Sequence, residues 1–302
     1  MRPTLRTFAL MLLLFGIFGL IGWLLGGFFA NNWWTGALIF LVLAGVMNFV
    51  SYFWAHKIVL WSYRARIVTE AEAPRFTRIV RRAAQLTGIP MPQVAIVPSK
   101  TPNAFATGRN PQTAVVAGTE GILERLDDRE LTAVMAHELA HVKDRDILVM
   151  TVAATIAGAI AFMARMFWWN LLLGGRQDDR NGNANAVIAI VVLVTAPIAA
   201  MLVQLAISRS REYKADEVGA RNLGAPDALA DALEKLEAAN ARRPIEFGNP
   251  ASSSLFIVNP FRGSSFVRLF STHPPMEERV RRLRAMAEQM GIPRRARSGV
   301  PA

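Results

Sequence analysis

The feature that most limits what this chain can fold into is a run without a single charge, Thr7 to Phe29. Hydrocarbon offers no water to satisfy peptide groups, so a lipid-exposed run must be a helix that makes its backbone hydrogen bonds internally. The run is long enough to cross a core of about 30 Å. A cleaved secretory leader is the competing reading, but the run exceeds the usual apolar region of about 7 to 15 residues, and no A-x-A site follows it. After the polar pair Asn31-Asn32, Trp33 and Trp34 have the character of interfacial anchors, and Thr35 to Trp54 forms a second span. Gly22 and Gly26 have the spacing that lets two helices approach closely. Arg2 and Arg6 precede this hairpin, its turn is uncharged, and Lys57, Arg64 and Arg66 follow it, which puts both ends in the cytoplasm.

Composition agrees that part of the chain is in lipid: 52% of its 302 residues are hydrophobic and its mean hydropathy is +0.27. Cysteine is absent, which excludes disulfides, thiolate metal sites and a cysteine nucleophile. Four histidines are the only side chains able to offer a nitrogen ligand. The formal charge of +11 reads, beside such apolar segments, as attraction to an anionic membrane surface. No nucleic-acid-binding motif is visible.

From Arg64 to Asp146 the composition is that of a soluble domain. Phe76, Ile79, Val80, Ala83 and Leu86 repeat at helical spacing until Gly88 and Pro90 stop them. Gln93 to Val97, Asn103 to Thr107 and Thr113 to Ala117 read as short strands of a small antiparallel sheet. Two further apolar runs, Ile147 to Leu173 and Ala186 to Ile207, flank a polar loop and are expected to be spans three and four; Arg165 keeps a buried soluble hairpin open as the alternative. The expected fold is thus a mainly α membrane protein of about four transmembrane helices with a cytoplasmic α+β domain. Residues 1–57 form the first hairpin, 58–146 the first half of the domain, 147–207 the second hairpin and 208–302 the second half with a basic tail. Ala241 to Gly263 reads as a long loop, and a basic helix runs from Met276 to Met290.

The chemistry lies in Leu131 to Asp146, LTAVMAHELAHVKDRD. Asp127 and Glu130 resemble a capping box, so a helix starts here. It puts His137 and His141 one turn apart on one face, within reach of one metal ion, while Glu138 is free to take a proton from metal-bound water. Catalytic zinc usually has three protein ligands. Six residues beyond His141 stands Ile147, so the third comes from elsewhere. An apolar hairpin between Asp146 and Ser208 would return the chain to the side it left, bringing Glu212 back to the histidines; Asp216, one turn on, can accept a hydrogen bond from a ligand histidine. Glu217 and Glu246 are weaker choices.

HELAH with Asp146 after it, SRSREYKAD from Ser208, STHPPMEERVRRL from Ser271 and PNAFATG from Pro102 resemble the HtpX family of membrane zinc metalloproteases, over nearly the whole chain. The CAAX prenyl endopeptidases are more distant relatives. The resemblance implies a gluzincin core with one zinc ion on His137, His141 and Glu212, Glu138 as general base, and Asp216, with Asp146, supporting the ligands from behind. It also implies a bacterial inner-membrane enzyme of the stress response, with membrane-protein substrates that are misfolded or damaged and association with other quality-control proteases. His273, in the STHP motif, is expected to stabilise the oxyanion, with helix entry as its alternative role. Asn103, Ala104 and Phe105 are expected to pair with an extended substrate along an edge strand. A prenyl-protein endopeptidase and a non-catalytic zinc-stabilised scaffold are the competing functions; a scaffold has no use for Glu138.

Overall fold

The computed structural model describes residues 3–30, 32–154, 157, 209–242, 245, 255–258 and 274–292. Most of the expected third span, the whole fourth, His273, most of the long loop and the tail lie outside these.

Helices α1 (Pro3–Ala30) and α2 (Trp33–Ser62) form an antiparallel hairpin, its turn fixed where Asn32 Oδ1 accepts the Thr35 N–H at 3.1 Å. The helices meet glycine to glycine: a methyl group on Gly22 would lie 2.4 Å from the Gly36 carbonyl oxygen, so no larger side chain fits there. Small and polar residues face inward, among them Ala44, Ser51 and Asn48, whose Nδ2 donates to the Met11 carbonyl at 3.3 Å. Leu12, Leu38, Val46 and Phe49 point outward and are more than half exposed. Helix α2 continues past the expected end at Trp54 to Ser62, and among the described residues it alone is long and apolar enough to cross a membrane.

After Tyr63 come β1 (Arg66–Val68), α3 (Pro74–Thr87), β2 (Gln93–Val97), β3 (Ala104–Thr107), β4 (Val115–Thr119), α4 (Glu120–Arg125) and α5 (Asp128–Lys143). Helix α3 ends at Gly88, whose φ of 70° is the left-handed cap that glycine adopts freely. The sheet order is β1-β2-β4-β3 and the sheet is mixed, not antiparallel: β1 opposes β2 and β3 opposes β4, but β2 and β4 run parallel. The reason is the crossing of β3 to the far edge, which leaves its sequence neighbours side by side in the same direction.

The centre of the domain is α5. Asp127 and Glu130 close its first turn as a reciprocal capping box, and every residue from Glu130 to Val142 is buried. Packed round it are α3, the sheet, α6 (Arg209–Leu223) and α7 (Pro226–Arg242), with α8 (Met276–Gln289) behind α6 and α7. Bidentate Arg129–Asp227 and the pair Lys235–Glu130 fasten α7 to the start of α5. Just past α5, Arg145 takes a left-handed φ of 58° and turns the chain into a helix that begins at Asp146.

Candidate metal centre

Helical spacing sets His137 and His141 on one face of α5 with ring centroids 4.9 Å apart. Helix α6 crosses this face and contributes Glu212: Oε1 lies 3.4 Å from His141 Nε2 and Oε2 lies 3.9 Å from His137 Nε2. One ligating atom from each residue falls within 4.8 Å of the other two. The close crossing depends on Gly219 of α6, where a methyl group would stand 2.9 Å from the His137 backbone nitrogen.

The two histidines turn Nε2 to Glu212 and Nδ1 to other carboxylates. His137 Nδ1 is 2.9 Å from Asp216 Oδ1, although the ring N–H is not aimed along the line between them, and His141 Nδ1 is 4.0 Å from Asp146 Oδ2. Such a carboxylate behind an imidazole fixes the ring and strengthens its outer nitrogen as a donor. Asp146 is in turn held by Arg211, Nη1 to Oδ1 at 2.8 Å, so the residue before Glu212 ties the start of α6 to the helix that follows α5.

Arg279 of α8, fully buried, is the functional residue that reading the sequence missed. Its Nε and Nη2 donate to Asp216 Oδ2 and Oδ1 at 2.8 and 2.7 Å, Nη1 donates to the Ile257 carbonyl at 3.1 Å, and Nη2 lies 3.5 Å from His137 Nε2. The signal was present in the pattern: Arg279, Leu283 and Ala287, four apart, make the buried stripe of α8, so an arginine occupies a position the periodicity assigns to the core.

Charge in this pocket is concentrated and dry. Burial pushes the Glu138 carboxyl up to about 8, with the Glu212 charge adding to the rise while His141, Arg279 and a hydrogen bond from the Ala106 backbone restrain it. For His141 burial opposes the charged form, yet Glu212, Asp146 and Glu138 outweigh it and push the imidazole up to about 10. Burial also opposes the Asp216 carboxylate, but Arg279 overcomes it and holds the group below its ordinary value. Two imidazoles and a carboxylate aimed at one point, in surroundings that draw positive charge, are a donor set that fits a divalent metal ion.

Of the residues singled out from sequence, His137, Glu138, His141, Glu212, Asp216 and Asp146 come together here. Glu217 pairs with Arg221 on the exposed side of α6, and Glu246 is outside the described residues. Asn103, Ala104 and Phe105 stand at the outer edge of the sheet, where residues 255–258 of the chain itself pair with them.

A model of the family described as Peptidase family M48 matches residues 70–287. A protein named Protease HtpX homolog from Thermococcus sibiricus is 56% identical over 291 residues, covering 95% of this chain and 97% of that one. Its namesake from Pyrococcus furiosus is 53% identical over 287 residues, with coverage of 95% and 97%. The crystal structure of S. mikatae Ste24p aligns with 93% of this chain and 65% of that one, at 15% identity and a TM-score of 0.47, a likeness too slight to bear on fold or function.

Proposed function

The chain belongs to peptidase family M48, as a metalloprotease of the HtpX type, and from that premise we propose that it is a zinc endopeptidase of the cell membrane, cleaving misfolded or damaged membrane proteins at the cytoplasmic face. What carries this reading is one cluster: His137, His141 and Glu212 with ligating atoms within 4.8 Å of one another, and Glu138 buried beside them. Nitrogen and carboxylate donors in a chain without cysteine suit a single zinc ion. When bound, the ion supplies a water of lowered pKa and a Lewis acid for the scissile carbonyl.

The chain's own residues do the rest. Glu138 takes the proton from the attacking water and delivers it to the leaving nitrogen, a role that its burial beside the three ligands allows. Asp216 and Asp146 orient the two imidazoles, and burial of all six side chains keeps bulk water out. The outer edge of β3, next to Glu138, receives the substrate as an added strand, which accepts many sequences because main-chain atoms do the pairing. His273 is assigned to the oxyanion on its sequence motif.

Lipid contact is supported by the outward apolar face of the hairpin, and spans over 147–173 and 186–207 complete a multi-pass topology. Association with other quality-control proteases follows from the same role. The test is to purify the wild type and Glu138→Gln in detergent, count zinc, and follow cleavage of an unfolded membrane protein. Equal zinc with a rate about 10²- to 10⁴-fold lower in the variant is expected. Equal rates would remove Glu138 as the base, and full zinc affinity in Glu212→Ala would remove Glu212 as a ligand.

A further inference from the structure

The outer edge of β3 already holds a peptide, residues 255–258 of the same chain, Leu-Phe-Ile-Val. Phe256 pairs antiparallel with Phe105, and the Ile257 N–H donates to the Ala104 carbonyl at 3.1 Å. Next to this the Asn103 side chain reads the main chain of Val258 in both senses, Nδ2 donating to its carbonyl at 2.6 Å and Oδ1 accepting its N–H at 3.4 Å. From the other side Arg279 Nη1 donates to the Ile257 carbonyl at 3.1 Å.

All these polar contacts end on main-chain atoms of the 255–258 segment, so any extended peptide in the same register could make them. Its side chains are another matter. Leu255, Phe256, Ile257 and Val258 are all buried, Phe256 against the rings of Tyr63 and Phe105 at centroid distances of 4.8 and 4.9 Å. The places they fill are therefore apolar. They also lie beside the reacting groups, because Ala106, two residues along β3, hydrogen-bonds Glu138 through its backbone, and Arg279 joins Ile257 to Asp216.

Resting on the endopeptidase reading above, we propose that residues 255–258 are the resident occupant of the substrate edge, which a substrate strand must replace, and that the site therefore selects extended apolar segments. A hydrophilic strand could make the same main-chain bonds but would leave the apolar places unfilled and exposed. An apolar one restores both, so the exchange is close to balanced only for that class of peptide.

The chain has no native cysteine, which permits a direct test. Ala104 and Ile257 are hydrogen-bonded, so residues 105 and 256 form the narrow kind of antiparallel pair, suited to a disulfide. The full-length, zinc-loaded Phe105→Cys/Phe256→Cys protein, locked by oxidation, is expected to cleave an unfolded apolar membrane protein at least about tenfold more slowly than the same sample after phosphine reduction, at unchanged zinc content. Equal rates in the two redox forms would overturn the proposal. The unmodified protein gives an independent arm: of two peptides equal in length, one with a Leu-Phe-Ile-Val core and one with a Ser-Asn-Lys-Thr core, the first is expected to show a kcat/KM at least about tenfold higher. Equal values would overturn the selectivity. The endopeptidase reading fails on a different observation, no zinc-dependent cleavage of either substrate by the unmodified protein.

Discussion

In the α1–α2 hairpin most large apolar side chains face outward, Leu14, Phe18, Val59 and Leu60 excepted, and glycine, alanine, serine and asparagine face inward; around α5 the arrangement is reversed, with leucine, valine and methionine inside and the ionised surface outside. Both halves are built from helices, yet different forces hold them. Round α5, burial of apolar area drives the packing. In the hairpin that drive has no direction if lipid lies outside, and contact depends on how closely the backbones approach, which Gly22, Gly26 and Gly36 permit. The exception to the α5 pattern is instructive. Acidic groups are buried here with cationic partners: Glu130 with Lys235 and Asp227 with Arg129 at the start of α5, Asp216 with Arg279 and Asp146 with Arg211 at the metal cluster.

The largest effect that sharpens this contrast is expected from Arg279→Met. Removing one partner of a buried pair strands the Asp216 charge and should cost about 3 to 5 kcal/mol in denaturant unfolding of the detergent-solubilised protein, with weakened metal binding. A cost under about 1 kcal/mol would mean that water reaches this pocket. Next comes a paired substitution. Leu229→Ala, at a fully buried site of α7, should cost about 2 to 5 kcal/mol, whereas Leu38→Ala, 63% exposed on α2, should change stability by no more than about 0.5 kcal/mol. Equal costs would break the comparison and show the outer face of the hairpin to be packed against protein.

Gly219→Ala should lower zinc affinity about tenfold, read by chelator competition, because the new methyl pushes α6 and Glu212 away from His137. The sign is diagnostic: alanine favours an isolated helix by about 1 kcal/mol, so a change governed by helix propensity would run the other way. A different kind of effect is a slope with pH. Glu138 stands at about 8 in the folded protein against an ordinary 4.5, so its stabilising contribution is complete below 4.5 and lost as pH rises through 8. His141, raised from 6.5 to about 10, adds loss in the same direction at higher pH. Thermal unfolding of the metal-stripped protein should therefore shift to lower temperature between these limits, and Glu138→Gln should flatten the lower part of the curve. The hairpin carries no carboxylate, so the part of the slope that Glu138→Gln removes belongs to the α5 half.

What sequence made legible here was local. The capping box of Asp127 and Glu130, the stop at Gly88 and the shared face of His137 and His141 each involve residues within a turn or two of one another, where spacing alone determines geometry. Glu212 needed one long-range premise, that an apolar hairpin brings the chain back. Arg279 could not be placed in this way: an arginine within a basic helix reads as solvated until its partner Asp216, 63 residues earlier, is known to face it. Strand direction was hidden for a similar reason, since the position of β3 at the far edge is a property of the whole sheet. The glycines of the hairpin were visible as a pattern, but only the 2.4 Å approach shows how tightly they constrain it.

One ring cluster joins the regions that this contrast separates. Tyr63, just beyond α2, lies 5.8 Å from Phe105 of β3 and 4.8 Å from Phe256, and those two stand 4.9 Å from each other. Close-packed rings transmit displacement rather than absorb it. A tilt of α2 is thereby delivered to the strand beside Glu138 and to the peptide laid against it. The hairpin and the cleft are thus one mechanical unit, in which the packing at the foot of α2 sets the position of the peptide edge.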